Sequence, residues 1–291
     1  PNNTLQSLWT VTGDNTGTVT TALEGKTTNF SNIQTLVGRS TEFNSLQSTQ
    51  TNNTWTITAD NGGTLNTTNF IGMNNLLGGI GDDTFTFNGS FQIDGTRGIN
   101  PAAQGTNTLN GPHIDTTWTL TSKETGTLNP SAATGATQFS NITTIKTGIK
   151  KDTLQGTNNG NIFVITEDNG GTVNNIPFAG MDSLLGGTGD DEFRFTGDFA
   201  IDLDGVGGTT NTIYSADSGM TFVFNTDGTA TNPVSNNNFS NINTIYGGKG
   251  EDTLVASDST NAWTITGNDK GTLVWESTVT FSKMNNLLGG T

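Results

Sequence analysis

The residues best suited to chemistry in this chain are acids set in glycine-rich turns. Two runs are clearest: Leu77-Gly78-Gly79-Ile80-Gly81-Asp82-Asp83-Thr84-Phe85 and Leu185-Gly186-Gly187-Thr188-Gly189-Asp190-Asp191-Glu192-Phe193. A third reads Gly247-Gly248-Lys249-Gly250-Glu251-Asp252-Thr253-Leu254. Carboxylates are hard oxygen ligands and glycines allow tight turns, so the chemistry this pattern suits is calcium binding. The candidate ligands are Asp83, Asp191 and Asp252, with Asp82 and Asp190 beside them. The competing reading is structural: an aspartate in such a turn commonly hydrogen-bonds nearby backbone and shapes the turn. A fourth copy, Thr147-Gly148-Ile149-Lys150-Lys151-Asp152, carries two cations, so Asp152 is not expected to hold a metal.

Other constellations are thinner. Asp198, Asp202 and Asp204 cluster once, and only Asp94 stands at the related place earlier in the chain. Carbohydrate-active enzymes use paired carboxylates at a cleft, with Arg, Lys or Tyr beside them. Here one histidine (His113, next to Pro112) and two tyrosines leave few partners. A dedicated site is also expected once, as an irregularity, whereas most acids fall at repeated positions. The five tryptophans are read as core residues sharing a repeat position with Phe163 and Phe222, not as sugar platforms. Thr-x-Thr pairs such as Thr56/Thr58 come once per repeat, too sparse for an ice-binding face.

These acids are positioned by a repeat. An aromatic opens each unit (Trp9, Trp55, Trp118, Phe163, Phe222, Trp263). A Gly-Thr pair follows eight residues on at Gly17, Gly63, Gly126, Gly171 and Gly271, and six on at Gly228. A phenylalanine comes next (Phe30, Phe70, Phe139, Phe178, Phe239, Phe281), then Ile or Met three further and Leu or Ile six further. Units with Ile run 46, 45 and 41 residues; units with Met run 63 and 59. That alternation implies duplication of a block of two units. The long units carry an extra stretch, Phe85 to Leu109 and Phe193 to Ile213. Short units are read as two coils and long ones as three, over approximate ranges 9–54, 55–117, 118–162, 163–221, 222–262 and 263–291, all within one repetitive segment, 1–291.

Alternating runs such as Thr54-Trp55-Thr56-Ile57-Thr58 predict strands, and glycine turns every ten residues or so leave no room for ordinary helices. Stacking of identical positions predicts an all-β, right-handed parallel β-helix, a β-solenoid. A meandering antiparallel sandwich is the alternative. Only 30% of residues are hydrophobic, which suits a narrow core filled by a few side chains per coil.

Net charge is −15, from 11 basic and 26 acidic residues. That argues against nucleic acid or anionic membrane surfaces as partners, since both need basic patches. With no cysteine, disulfides and thiolate metal sites are excluded. No run is apolar enough to span a bilayer, so no direct membrane insertion is expected.

The Gly-Gly-x-Gly-x-Asp turns resemble the nonapeptide of haemolysin-type calcium-binding proteins. The wider run, Phe-x-x-Ile/Met-x-x-Leu-x-Gly-Gly-x-Gly-x-Asp-x-Phe, is similar to repeats of large secreted bacterial adhesins and exoproteins, including the filamentous-haemagglutinin type. The resemblance covers nearly the whole chain. It implies calcium held by Asp83, Asp191 and Asp252, although here the motif stands singly and not in tandem. It also implies a non-enzymatic rod, fibre or stalk for cell adhesion at a bacterial surface, outside the cell. Its partners would be neighbouring repeats or copies of itself end to end, and surface glycans or proteins. Alternatives are a carbohydrate-active β-helix enzyme and a calcium-triggered secreted passenger. Because the repeat is cut at Pro1 and Thr291, the chain reads as an internal piece of a longer one.

Overall fold

The computed structural model describes residues 6–21, 24–40, 43–94 and 98–290. Among these there is no helix; short strands account for all regular structure. The chain folds as an all-β solenoid in two compact units, residues 1–152 and 153–291.

In each unit the chain visits two sheets in strict alternation. In the first unit one ladder stacks Trp9, Leu46, Leu76, Ile99 and Phe139 in parallel register. The other stacks Trp55, Phe85, Leu109 and Ile145. The second unit repeats the latter as Phe163, Phe193, Ile213, Ile245 and Phe281. Its other sheet stacks Leu154, Leu184, Leu203 and Phe239, and also Phe222, Leu254 and Leu287. Side chains alternate in and out along each strand, so these rows line the narrow core, with only Trp9 and Leu287 at the row ends half-buried. Trp55 and Trp118 are completely buried, as their position in the repeat predicts.

Parallel pairing holds from coil to coil, but each repeat unit opens with an antiparallel meander. Thr54–Ala59 pairs with Gly62–Leu65, which pairs with Thr68–Ile71, all in one sheet. Equivalent meanders run through Thr116–Ser122, Thr125–Pro130 and Thr137–Phe139, and through Ile162–Glu167, Gly170–Val173 and Ile176–Ala179. This corrects the coil count. A meander absorbs 15 to 21 residues, from Trp55 to Phe70 or Trp9 to Phe30, in a single sheet visit. A short unit therefore makes three sheet visits and a long one five, or one and a half and two and a half coils. The difference of one coil stands. Because both numbers are odd, successive meanders fall on opposite sheets. Each meander adds two extra strands, so the alternation keeps the two ladders in step.

The meander also explains the Gly-Thr position. A Cβ on Gly17, Gly126 or Gly271 would sit 2.8 to 2.9 Å from Cζ of Phe30, Phe139 or Phe281, and 2.0 to 2.2 Å from a carbonyl of the opening strand. The phenylalanine ring fills the space that the glycine leaves. The fifth unit corrects the expectation there. Ala230, not Gly228, pairs with Phe224 and Phe239, and it lies eight residues after Phe222 like every other copy. Gly228, with φ of +85°, belongs to the turn. One tryptophan is likewise misplaced by the repeat reading: Trp275 lies in the turn after Lys270–Val274, half-exposed.

Candidate functional site

Each candidate aspartate stands at the corner where the chain enters a sheet, two residues ahead of an inward-facing side chain. Asp83 precedes Thr84–Phe87, Asp191 precedes Glu192–Phe195 and Asp252 precedes Thr253–Val255. All three, and Asp152, are fully buried. At such a corner the backbone N–H is buried and needs an acceptor. The next coil supplies one. The Asn53 N–H donates to Asp83 Oδ1 (2.9 Å), the Asp83 N–H to Asn107 Oδ1 (3.3 Å), and the Asn107 N–H to Thr143 Oγ1 (2.9 Å). In the second unit the Asn161 N–H donates to Asp191 Oδ1 (2.8 Å), the Asp191 N–H to Asn211 Oδ1 (3.0 Å), and the Asn211 N–H to Asn243 Oδ1 (2.9 Å). Asp252 Oδ1 accepts from the Met220 N–H (2.8 Å) and the Ser215 hydroxyl, and its own N–H donates to Asn285. The aspartates are thus rungs of a buried polar ladder, one per coil.

The glycines of the motif fit this role. A Cβ on Gly78, Gly186 or Gly247 would lie 2.3, 2.2 or 2.8 Å from the Oδ2 of Asp83, Asp191 or Asp252. The first glycine therefore leaves the space that the carboxylate occupies. A Cβ on Gly79, Gly187 or Gly248 would lie 1.9 to 2.3 Å from a carbonyl oxygen of the preceding coil. The second glycine lets two coils touch.

Asp82 and Asp190 do different work. Both face outward and cap the turn that closes the extra coil. Asp82 Oδ1 accepts from the Thr106 N–H (2.6 Å), and Asp190 Oδ1 from the N–H groups of Thr209 (2.6 Å) and Thr210 (2.8 Å). The Thr210 and Thr209 donors hold the Asp190 carboxyl below its ordinary pKa. Asp83 is shifted the other way. Burial pushes its carboxyl up, only partly offset by the two bonds from Asn53, and the neighbouring Asp82 charge pushes it further.

At Asp191 and Asp252 the donor set does not fit calcium. Asp191 Oδ1 also accepts from Asn161 Nδ2 (2.7 Å), and its Oδ2 accepts from the Gly187 N–H (2.9 Å). Asp252 Oδ2 accepts from the Gly248 N–H (2.8 Å). Converging N–H dipoles with their positive ends toward the carboxylate satisfy an anion and repel a cation. No group of three metal-capable acids, histidines or cysteines comes together among the described residues. The structure does not gather Asp83, Asp191 and Asp252; each serves its own corner.

Three further acids are similarly engaged. Asp198 accepts from Asn232 Nδ2, Asp202 from the Asn238 backbone and side chain, and Asp204 from Asn241 Nδ2. Sequence reasoning missed the ladder's neutral members, Asn53, Asn107, Asn161, Asn211 and Asn243. Their signal was available: an Asn, Asp or Thr recurs two residues before most of the inward aromatic or aliphatic residues. It shows when single strands are aligned, not whole units.

One feature breaks the repeat. A polar cleft of about 500 Å³ in the second unit is lined by Gly207, Asn241, Asn243, Asp227, Glu276 and Ser277. It lies beside the turn where Trp275 packs on Phe224 (ring centroids 4.6 Å apart) and donates its indole N–H to the Asn225 carbonyl (3.0 Å). Asp227 is bound to Thr229, whose hydroxyl and N–H hold its carboxyl below the ordinary range. No protein-family model, curated protein or solved structure matches the chain.

Proposed function

We propose that the chain is a structural segment: a stiff spacer of a secreted bacterial surface adhesin or fibre, acting by stacking and display and not by catalysis. The observation that carries this reading is the use of the acids. Those best placed for chemistry by sequence are buried rungs, and the ones around them cap or bridge neighbouring coils. Continuous backbone ladders with an aromatic and aliphatic interior resist extension because neighbouring strands must separate together. The acidic surface suits an extracellular location and disfavours nucleic acid. Stretching of single tethered molecules tests the reading: a spacer yields in discrete, high-force steps, and a chain that extends smoothly at low force is not a spacer.

A second reading rests on the cleft where two acids, Asp227 and Glu276, line one depression. It is that of a carbohydrate-active enzyme. Incubation with acidic and neutral polysaccharides, followed by assay of new reducing ends, separates the two. Product that vanishes in Asp227→Asn and Glu276→Gln would establish the enzyme and displace the spacer.

A further inference from the structure

The chain has two tyrosines, and the fold brings them together. Tyr214 and Tyr246 are paired in parallel register on the outward face of the second unit. Their rings are stacked, with centroids 5.1 Å apart and planes 9° from parallel. Tyr246 is exposed and Tyr214 half-exposed. The Arg194 guanidinium lies over the far face of Tyr214, 5.2 Å from the centroid, and is held there by Glu192. The corresponding outward row of the first unit is Thr86, Asn110 and Lys146, polar residues that the sheet face alone would accept. Solubility therefore does not call for an aromatic pair at this position.

We infer that Tyr214 and Tyr246 are a cross-linking site, joined by peroxide-driven oxidation into a dityrosine that staples two successive coils. Each phenol gives up one electron and its hydroxyl proton, leaving two phenoxyl radicals. The radicals couple through ring carbons ortho to the oxygens. Those carbons then lose their hydrogens to the phenoxyl oxygens as both rings regain aromaticity. One carbon–carbon bond forms and two carbon–hydrogen bonds break. Two electrons and two protons pass to one hydrogen peroxide, giving two waters. Stacking in register places the rings in contact before oxidation, so coupling within the chain outruns coupling between chains. Tyr246 is oxidised first, since the cation over Tyr214 withdraws charge from that ring.

The test treats dilute, folded protein with a haem peroxidase and hydrogen peroxide. The expected product has dityrosine fluorescence, has lost the mass of two hydrogens, migrates as a monomer, and yields a peptide joining 214 to 246. Tyr214→Phe and Tyr246→Phe each abolish it while circular dichroism shows the strands intact. Arg194→Gln accelerates it several-fold, and unfolding in urea before oxidation reduces the intrachain yield several-fold. Cross-links only between chains, or no intrachain product from folded protein, overturns the proposal. So does equal intrachain yield from folded and unfolded protein.

Discussion

The turns at 77–85 and 185–193 share seven of nine residues and place their aspartates at the same corner, yet they satisfy them differently. At the second turn the strand Ser183–Gly187 runs on through both glycines, paired as far as Gly187 with Val206 of the five-residue strand Asp202–Val206. That pairing holds the Gly187 N–H against Asp191 Oδ2. At the first turn the strand Asn75–Leu77 stops early, because its partner is only Gly98–Ile99, followed two residues later by Pro101. Proline has no N–H to continue the ladder, and its ring lies against Gly78. Asp83 Oδ2 is left buried with no hydrogen-bond partner. An identical motif is thus completed or left incomplete by the length of a strand one coil away.

Several substitutions would sharpen or break this contrast. The largest effect is expected from Asp191→Ala, which strands the Asn161 and Gly187 donors in a buried site. Chemical denaturation should show a loss of about 3 kcal/mol or more, with a smaller loss for Asp83→Ala, which strands only Asn53. Equal losses would mean that the extra bond at Asp191 contributes nothing. Next in size is Gly186→Ala, whose new methyl would meet Asp191 Oδ2; a loss of roughly 1–3 kcal/mol is expected from overpacking.

Amide substitution should separate the two turns by sign. Asp191→Asn must set an NH2 donor or the wrong oxygen against three N–H groups, so its melting temperature falls. Asp83→Asn removes a buried charge while keeping the acceptor for Asn53, so its melting temperature at neutral pH is unchanged or higher. The pH dependence follows from the direction of each shift. The folded-state pKa of Asp83 is raised, so its contribution is most favourable below the unfolded value near 4 and is lost as pH rises through the folded value. The advantage of Asp83→Asn over the parent should therefore grow as pH rises from about 4 toward neutrality. Asp190, with its pKa lowered, stabilises above the unfolded value and ceases to as pH falls through the folded one. Asp190→Asn should cost stability at neutral pH and less in acid. Thermal melts across that range check both trends, and parallel curves for the two variants would refute the assignment. The smallest effect is expected for Trp55→Phe. Phe163 holds the same place in the second unit, and the Trp55 indole N–H is buried without a partner, so lost area and relieved desolvation partly offset.

Much of this molecule was written in its residue pattern. Alternation in runs such as Thr54 to Thr58 required strands. The recurrence of Trp, Phe and Leu at set intervals required stacked coils, because only stacking buries the same position in every repeat. The extra coil between Phe85 and Leu109 was visible as added length. The hairpin nature of the Trp-to-Phe segment was not. Parallel and antiparallel neighbours bury the same side chains, so periodicity is blind to strand direction until the pairing of Gly63 with both Ile57 and Phe70 is seen. The part played by the Gly-Gly-x-Gly-x-Asp turns was equally hidden. A carboxylate in a glycine turn reads the same whether it faces a cation or a row of N–H groups. The donors that these carboxylates accept from, on Asn53, Asn161 and Met220, lie about 30 residues away along the chain and one coil away in space.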